Sequence, residues 1–270
     1  MQLNINQILA EKAPDKHFPR FVVKFLEKIV HQDGLNQLFA EGEGMTSIDF
    51  CQHVCRFFDL KFTLKNEENL PANNGKKYIF VSNHPLGGLD GVILGYILGK
   101  HYDGKVKIPA NSILMYVESL RDMFVSVNKF GSPSREDLKS VVELYKSDNQ
   151  IFTFPAGAVS RKTKGVISDL EWKKSFISAA IKERRDVVPI YFEGKNSNFF
   201  YNLANLRKFL GIKLNVEMLF FADELFKQRG SHFTVTVGQP ISYIIFDKSK
   251  AHNEWAEFVK AEAYKLKSMF

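Results

Sequence analysis

The stretch Tyr78-Ile79-Phe80-Val81-Ser82-Asn83-His84-Pro85-Leu86-Gly87-Gly88-Leu89-Asp90-Gly91-Val92 decides how this chain is read. It leaves an apolar run of strand length, turns through an Asn-His pair and two glycines, and enters an apolar helical pattern over Val92 to Leu98. Functional groups in layered α/β proteins commonly sit where a strand gives way to a helix. Working outward, Phe124 to Val127, Gln150 to Phe154, Val187 to Tyr191 and His232 to Val237 have strand length and composition. Helical patterns occupy Arg135 to Lys146, Lys173 to Ile181 and Asn253 to Leu266. This alternation predicts an α/β domain with a central sheet.

Residues 1–70 read differently, as a helical N-terminal segment ahead of an α/β domain over 71–270. Pro19 suits a first helical position, and Phe21, Val22, Phe25, Leu26, Ile29 and Val30 recur at helical spacing opposite Arg20, Lys24, Glu27 and Lys28. That stripe fits either a helix packed on the main domain or one lying in a membrane interface. A second helix is expected from Ser47 to Phe58, before a polar link from Asn66 to Gly75.

At 270 residues, 45% hydrophobic and 13% aromatic, the chain has ample material for a core, which excludes disorder. Its 37 Lys and Arg against 30 Asp and Glu leave +7, favouring an anionic partner. Basic residues are spread out instead of being interleaved with aromatics on one element, so no nucleic-acid partner is expected. Cys51 and Cys55 provide no disulfide framework. With His53 between them, they read as buried helix positions and not as metal ligands. No run approaches the roughly 20 apolar residues of a membrane-spanning helix, and Met1 to Asn6 lack the pattern of a secretory signal. A cytoplasmic protein with at most a surface contact to membrane is expected. Signatures of serine hydrolases, P-loop ATPases and zincins are missing from the sequence.

Two segments carry candidate chemistry. Asp90 either folds back to orient His84 as a base, or caps the following helix while His84 packs in a turn. Phe154-Pro155-Ala156-Gly157-Ala158-Val159-Ser160-Arg161-Lys162 also leaves an apolar strand, as a loop suited to bringing backbone N–H groups and a guanidinium to an anion.

Together these residues resemble the lysophospholipid acyltransferase superfamily, which includes the glycerolphosphate and 1-acylglycerol-3-phosphate acyltransferases. The resemblance rests on Asn83-His84 to Asp90, Val127-Asn128-Lys129, Phe154-Pro155-Ala156-Gly157 and Val188-Pro189, in that order, and covers roughly residues 75–240. Gly194 to Ser197 and Val237 to Ile241 are also similar to that family. The five residues Pro85 to Leu89 make a spacer one longer than usual, and Ala156 replaces the usual acidic residue. Both features resemble the haemolysin-like branch that acylates lyso-ornithine and glycine lipids.

The resemblance implies a central mixed sheet flanked by helices, with His84 as general base and Asp90 orienting it. It implies substrate contacts from Asn83, Asn128, Lys129, Phe154, Pro155, Gly157 and Arg161, the last toward an anionic group. No metal and no cofactor are implied; the acyl donor is a thioester on acyl-carrier protein or CoA. The acceptor is a lyso-lipid, most simply an aminolipid, met on the inner face of the cytoplasmic membrane. Acylation of 1-acylglycerol 3-phosphate, or a catalytically silent lipid-binding module, are the alternatives. A hydroxyl is a poor nucleophile at neutral pH, and histidine's ordinary pKa of about 6.5 suits it to removing the proton.

Overall fold

Successive residues of a strand point to opposite faces, so a strand that is apolar throughout needs cover on both sides. The computed structural model, which describes residues 2–12, 14–110, 112–126 and 135–269, supplies that cover. Its strands are β1 (Lys61–Lys65), β2 (Tyr78–Ser82), β3 (Val106–Ala110), β4 (Phe124–Ser126), β5 (Gln150–Thr153), β6 (Arg161–Thr163), β7 (Val166–Ser168), β8 (Asp186–Glu193) and β9 (His232–Val237). Its α-helices are α1 (Ile5–Lys12), α2 (Arg20–Ile29), α3 (Gln32–Glu41), α4 (Ser47–Phe57), α5 (Leu89–His101), α6 (Arg135–Lys146), α7 (Ser175–Glu183), α8 (Asn198–Phe209), α9 (Phe221–Lys227) and α10 (His252–Lys265).

Among the described residues, one sheet has the order β1-β9-β8-β2-β5-β3-β4, and β6 and β7 form a separate hairpin. Neighbours in the large sheet are parallel except β8 and β9, so β1 and β9 run against the other five strands. The sheet is mixed, as expected. Phe80 of β2 lies between Phe152 and Val188 in register, and these three join the core cluster that holds Phe50, Val54, Ile93 and Leu98 of α4 and α5. Ile79, Ile151 and Val187 face the other way, with Trp172, Phe176, Ile177, Trp255 and Val259.

The stretch up to residue 70 is not wholly helical. Lys61-Phe62-Thr63-Leu64-Lys65 forms β1, an edge strand parallel to β9 with Leu64 opposite Val235. Its flanking lysines suit an edge, where charge blunts further pairing. In α4, Thr46 caps the N-terminus by accepting from the Asp49 N–H at 3.2 Å, and Cys51 and Cys55 are buried. Burial pushes both thiols up, Cys55 to about 11. Of the α2 stripe only Ile29 is buried; Val22, Leu26 and Val30 are half-buried, whereas Phe21 and Phe25 are 74% and 57% exposed. No helix among the described residues is long and apolar enough to cross a membrane.

The packing predicts that Phe80→Ala, at a fully buried site, costs about 3–5 kcal/mol. Urea unfolding measures it; a loss under about 1 kcal/mol would contradict the packing described.

Candidate active site

β2 ends at Ser82, but its ladder is carried one residue further by a side chain. The Asn83 amide donates from Nδ2 to the Phe192 carbonyl at 2.9 Å, and its Oδ1 accepts from the Phe192 N–H at 2.7 Å. This pairing tethers the chain beside β8 just as it turns. His84 is held by both of its backbone groups: its N–H donates to Asp169 Oδ1 at 3.2 Å, and its carbonyl accepts from the Ser160 N–H at 2.8 Å.

The turn then tightens. Gly87 has φ +82°, and a Cβ there would stand 2.7 Å from Val159 Cγ2, so both backbone conformation and space require glycine. Gly88 takes the N-cap of α5 and places Asp90 in the first helical turn. Asp90 is therefore not the cap. Its Oδ2 lies 2.9 Å from His84 Nδ1 and also accepts from the N–H groups of Leu86 at 2.9 Å and Gly87 at 3.4 Å. The long Pro85–Leu89 spacer closes the His-Asp pair.

Asp90 is fully buried. Burial alone would raise its carboxyl, but the charge and hydrogen bond of His84 and the Leu86 and Gly91 N–H groups outweigh it, and the carboxyl is held below the ordinary range. An ionised carboxylate only accepts, so in the neutral ring the proton belongs on Nδ1 and the lone pair on Nε2. The imidazole stacks on Phe154 with centroids 3.8 Å apart at 22°. Its side chain is 14% exposed.

Phe154 belongs to the second segment named from the sequence. There the Gly157 N–H donates to the Phe154 carbonyl at 2.9 Å, closing a tight turn around buried Pro155, with Gly157 at φ +65°. The Pro155 carbonyl accepts from the Lys173 N–H at 3.1 Å. His84, Asp90, Asn83 and Phe154 thus converge at one end of the sheet. Asn83, expected at the substrate, has its buried amide engaged by the Phe192 backbone. Asn128 and Lys129 lie outside the described residues.

Arg161 does not project as a loop arginine. Its side chain is 12% exposed, and Nη2 lies 3.3 Å from Oε1 of Glu217. Glu217 is fully buried and pairs through Oε2 with Arg207 Nε at 2.8 Å. Burial lowers the Arg161 pKa against the pull of Glu217, and its buried Nη1 has no hydrogen-bond partner.

Sequence reading missed Asp169. Buried in the loop after β7, it accepts from the Ser160 hydroxyl at 2.5 Å and the Trp172 indole at 2.9 Å as well as from the His84 N–H, and its own N–H donates to the Tyr264 hydroxyl oxygen at 2.7 Å. Burial raises its pKa against the hydrogen bonds it accepts. No residue pattern around Ser168-Asp169-Leu170 marks it.

Two hollows meet the turn between β2 and α5. A polar cleft of about 690 Å³ is lined by Asn83, Pro85, Ser160, Asn196 and Tyr264. An apolar groove of about 620 Å³ runs between Leu26 and Ile29 of α2, Met218 and Leu219, and the turn residues Leu86 to Leu89.

A histidine held by a buried carboxylate, two residues along the chain from a groove lined by apolar side chains, is an arrangement suited to acyl transfer. The chain belongs to the acyltransferase family, whose model matches residues 7–270. It is 51% identical over 266 residues to a lyso-glycine lipid O-acyltransferase of Bacteroides thetaiotaomicron, covering 98% of this chain and 97% of that protein. A lyso-glycine lipid O-acyltransferase of Phocaeicola vulgatus is 50% identical over 266 residues, covering 98% and 95%. The crystal structure of a 1-acyl-sn-glycerophosphate acyltransferase from Thermotoga maritima superposes with a TM-score of 0.48 at 15% identity, covering 98% of this chain and 88% of that one. The resemblance drawn from the sequence motifs, including its glycine-lipid branch, is borne out by the family model and the two lyso-glycine lipid O-acyltransferases.

The electrostatics of Asp90 predict a pH dependence. Its folded pKa is depressed, so the unfolded chain takes up the proton first as pH falls. The stabilisation is present above about pH 4 and is lost as pH drops through the folded pKa. Urea unfolding of wild type and Asp90→Asn from about pH 3 to about pH 7 should show wild type gaining stability relative to the variant as pH rises. A pH-independent difference would contradict the depressed Asp90 carboxyl.

Proposed function

We propose that this enzyme transfers a fatty acyl group from a thioester, on acyl-carrier protein or CoA, to the hydroxyl of a lyso-lipid of the glycine or ornithine aminolipid type. The observation that carries the base catalysis is the 2.9 Å contact between His84 Nδ1 and Asp90 Oδ2, which flank the Leu86 to Leu89 segment lining the apolar groove. The aminolipid acceptor is supported by the activity for which the two relatives of about half-identical sequence are named.

His84 Nε2 takes the proton of the acceptor hydroxyl as its oxygen attacks the thioester carbonyl carbon. The tetrahedral adduct collapses, the C–S bond breaks, and the imidazolium returns the proton to the leaving thiolate. Asp90 stabilises the imidazolium between these steps and keeps the tautomer correct. Base catalysis of this kind contributes on the order of a hundred- to ten-thousand-fold, with orientation and oxyanion stabilisation supplying the rest.

The alkyl chain lies against Leu86 and Leu89 in the groove. Phe154 fixes the plane of the base, and the Pro155-Ala156-Gly157 turn shapes the wall behind it. Arg161, with its unpartnered Nη1, is assigned to an anionic group of the acceptor or donor. The enzyme works at the inner face of the cytoplasmic membrane, where its substrates partition, and docks there through the open side of α2 with Phe21, Phe25, Arg20, Lys24 and Lys28.

Purified protein offered a fatty acyl thioester with either a lyso-glycine lipid or 1-acylglycerol 3-phosphate should consume mainly the former, as read by product mass spectrometry. His84→Ala should lose at least about a hundredfold in rate while keeping its circular dichroism spectrum. Turnover within about tenfold of wild type would remove His84 from the chemistry. Preference for the glycerophosphate would overturn the acceptor.

A further inference from the structure

α8 and the segment that follows it turn apolar side chains outward. Leu206, Phe209, Leu210, Ile212, Leu214 and Leu219 are all exposed, Phe209 at 86% and Leu214 at 72%. Soluble monomers seldom display such a continuous apolar run without a partner for it. These residues do not share the packed cores of the sheet faces, which are filled from α4, α5, α7 and α10.

We propose that residues 206–219 form a docking face that seats on an anionic lipid bilayer, opposite α2 across the mouth of the apolar groove. Two independent observations select a lipid surface as the occupant. The first is charge. From Gly194 to Ala222 the sequence holds a single carboxylate, Glu217. That carboxylate is fully buried between Arg207 and Arg161, so it presents no negative charge to a membrane. Lys208 and Lys213 stand exposed among the apolar side chains. The β6–β7 hairpin adds Lys162 and Lys164, and it is tied to α8 where the Asn205 amide donates to the Lys162 carbonyl at 3.1 Å. Apolar side chains interleaved with lysine match an interfacial layer with negative headgroups.

The second observation is continuity with the groove. Met218 and Leu219 line the same apolar groove that reaches Leu86 to Leu89 of the catalytic turn, and Leu26 and Ile29 of α2 line its other side. An alkyl chain rising from the bilayer between these two banks enters the groove without crossing water. The buried Arg161–Glu217–Arg207 cluster anchors the bank to β6, next to Ser160, whose N–H holds the His84 carbonyl. The docking face is thereby fixed relative to the base.

The inference gives a location to the lipid-acylating reading above, but its test is independent of that reading because flotation is measured with no acceptor or donor. Full-length protein is floated with vesicles of phosphatidylcholine alone and with vesicles that also contain phosphatidylglycerol. Wild type should float preferentially with the anionic vesicles, and less so as salt is raised. Phe209→Ser with Leu214→Ser should weaken partitioning at least about tenfold with an unchanged Tm, since both side chains lie in solvent. Lys208→Glu with Lys213→Glu should abolish the preference for anionic vesicles, and this carries the test if the apolar pair affects folding. Phe21→Ser with Phe25→Ser serves as the comparison for α2. The proposal falls if wild type floats with neither vesicle, if only the α2 variant loses binding, or if sedimentation shows that the Phe209/Leu214 variant has lost a dimer present in wild type, which would make the face a contact between copies.

Discussion

A carboxylate with no exposure to water must be compensated where it stands, because stripping water from an ion costs several kcal/mol even after relaxation. Asp90 meets that demand through His84 Nδ1 and the N–H groups of Leu86, Gly87 and Gly91. Much of the local sequence follows from this one constraint. The chain must double back within five residues to bring its own amides to the carboxylate. Gly87 permits the turn, Gly88 starts the helix, and α5 holds Asp90 in its first turn.

His84 is held from two further directions. Asn83 extends the β2–β8 ladder and fixes where the turn begins, while Asp169 ties the His84 N–H to Ser160 and Trp172. Through the Tyr264 hydroxyl, α10 joins the same network. His84 is thus anchored to elements on both faces of the sheet, with Phe154 setting the plane of its ring. Orientation of this kind is a large part of what an enzyme contributes to a bimolecular reaction.

The parts of this arrangement legible in the sequence were those written locally. β2, the glycine turn and α5 are contiguous, and unbroken apolar strands announce a sheet covered on both faces. His232 to Val237 is a strand as read, and Arg135 to Lys146 a helix. What escaped depends on distance along the chain. β1 is short and lysine-flanked, and becomes a strand only by pairing with β9, some 170 positions later. β3 contains Pro109, which argues against a strand, yet it pairs with β5 through its first half and with β4 through its second. Asp169 acquires its place only when β7 brings it beneath His84. Arg161 read as a loop residue, whereas Glu217 and Arg207, far away in sequence, draw it into a buried cluster. The outward apolar face of α8 carries no period that distinguishes it from a core helix; only the folded chain shows which side stayed open.

The central claim is that Asp90 holds the His84 proton on Nδ1 and leaves Nε2 free as the base. Nitrogen-15 NMR of histidine-labelled protein at about pH 9, where histidine side chains are ordinarily neutral, reads the two ring nitrogens separately, with His84→Gln used to assign the resonances. The account predicts a protonated Nδ1 and an unprotonated Nε2 for His84 in wild type, and loss of that strong bias in Asp90→Ala. A His84 ring protonated on Nε2, or a tautomer unmoved by removing the carboxylate, would contradict it.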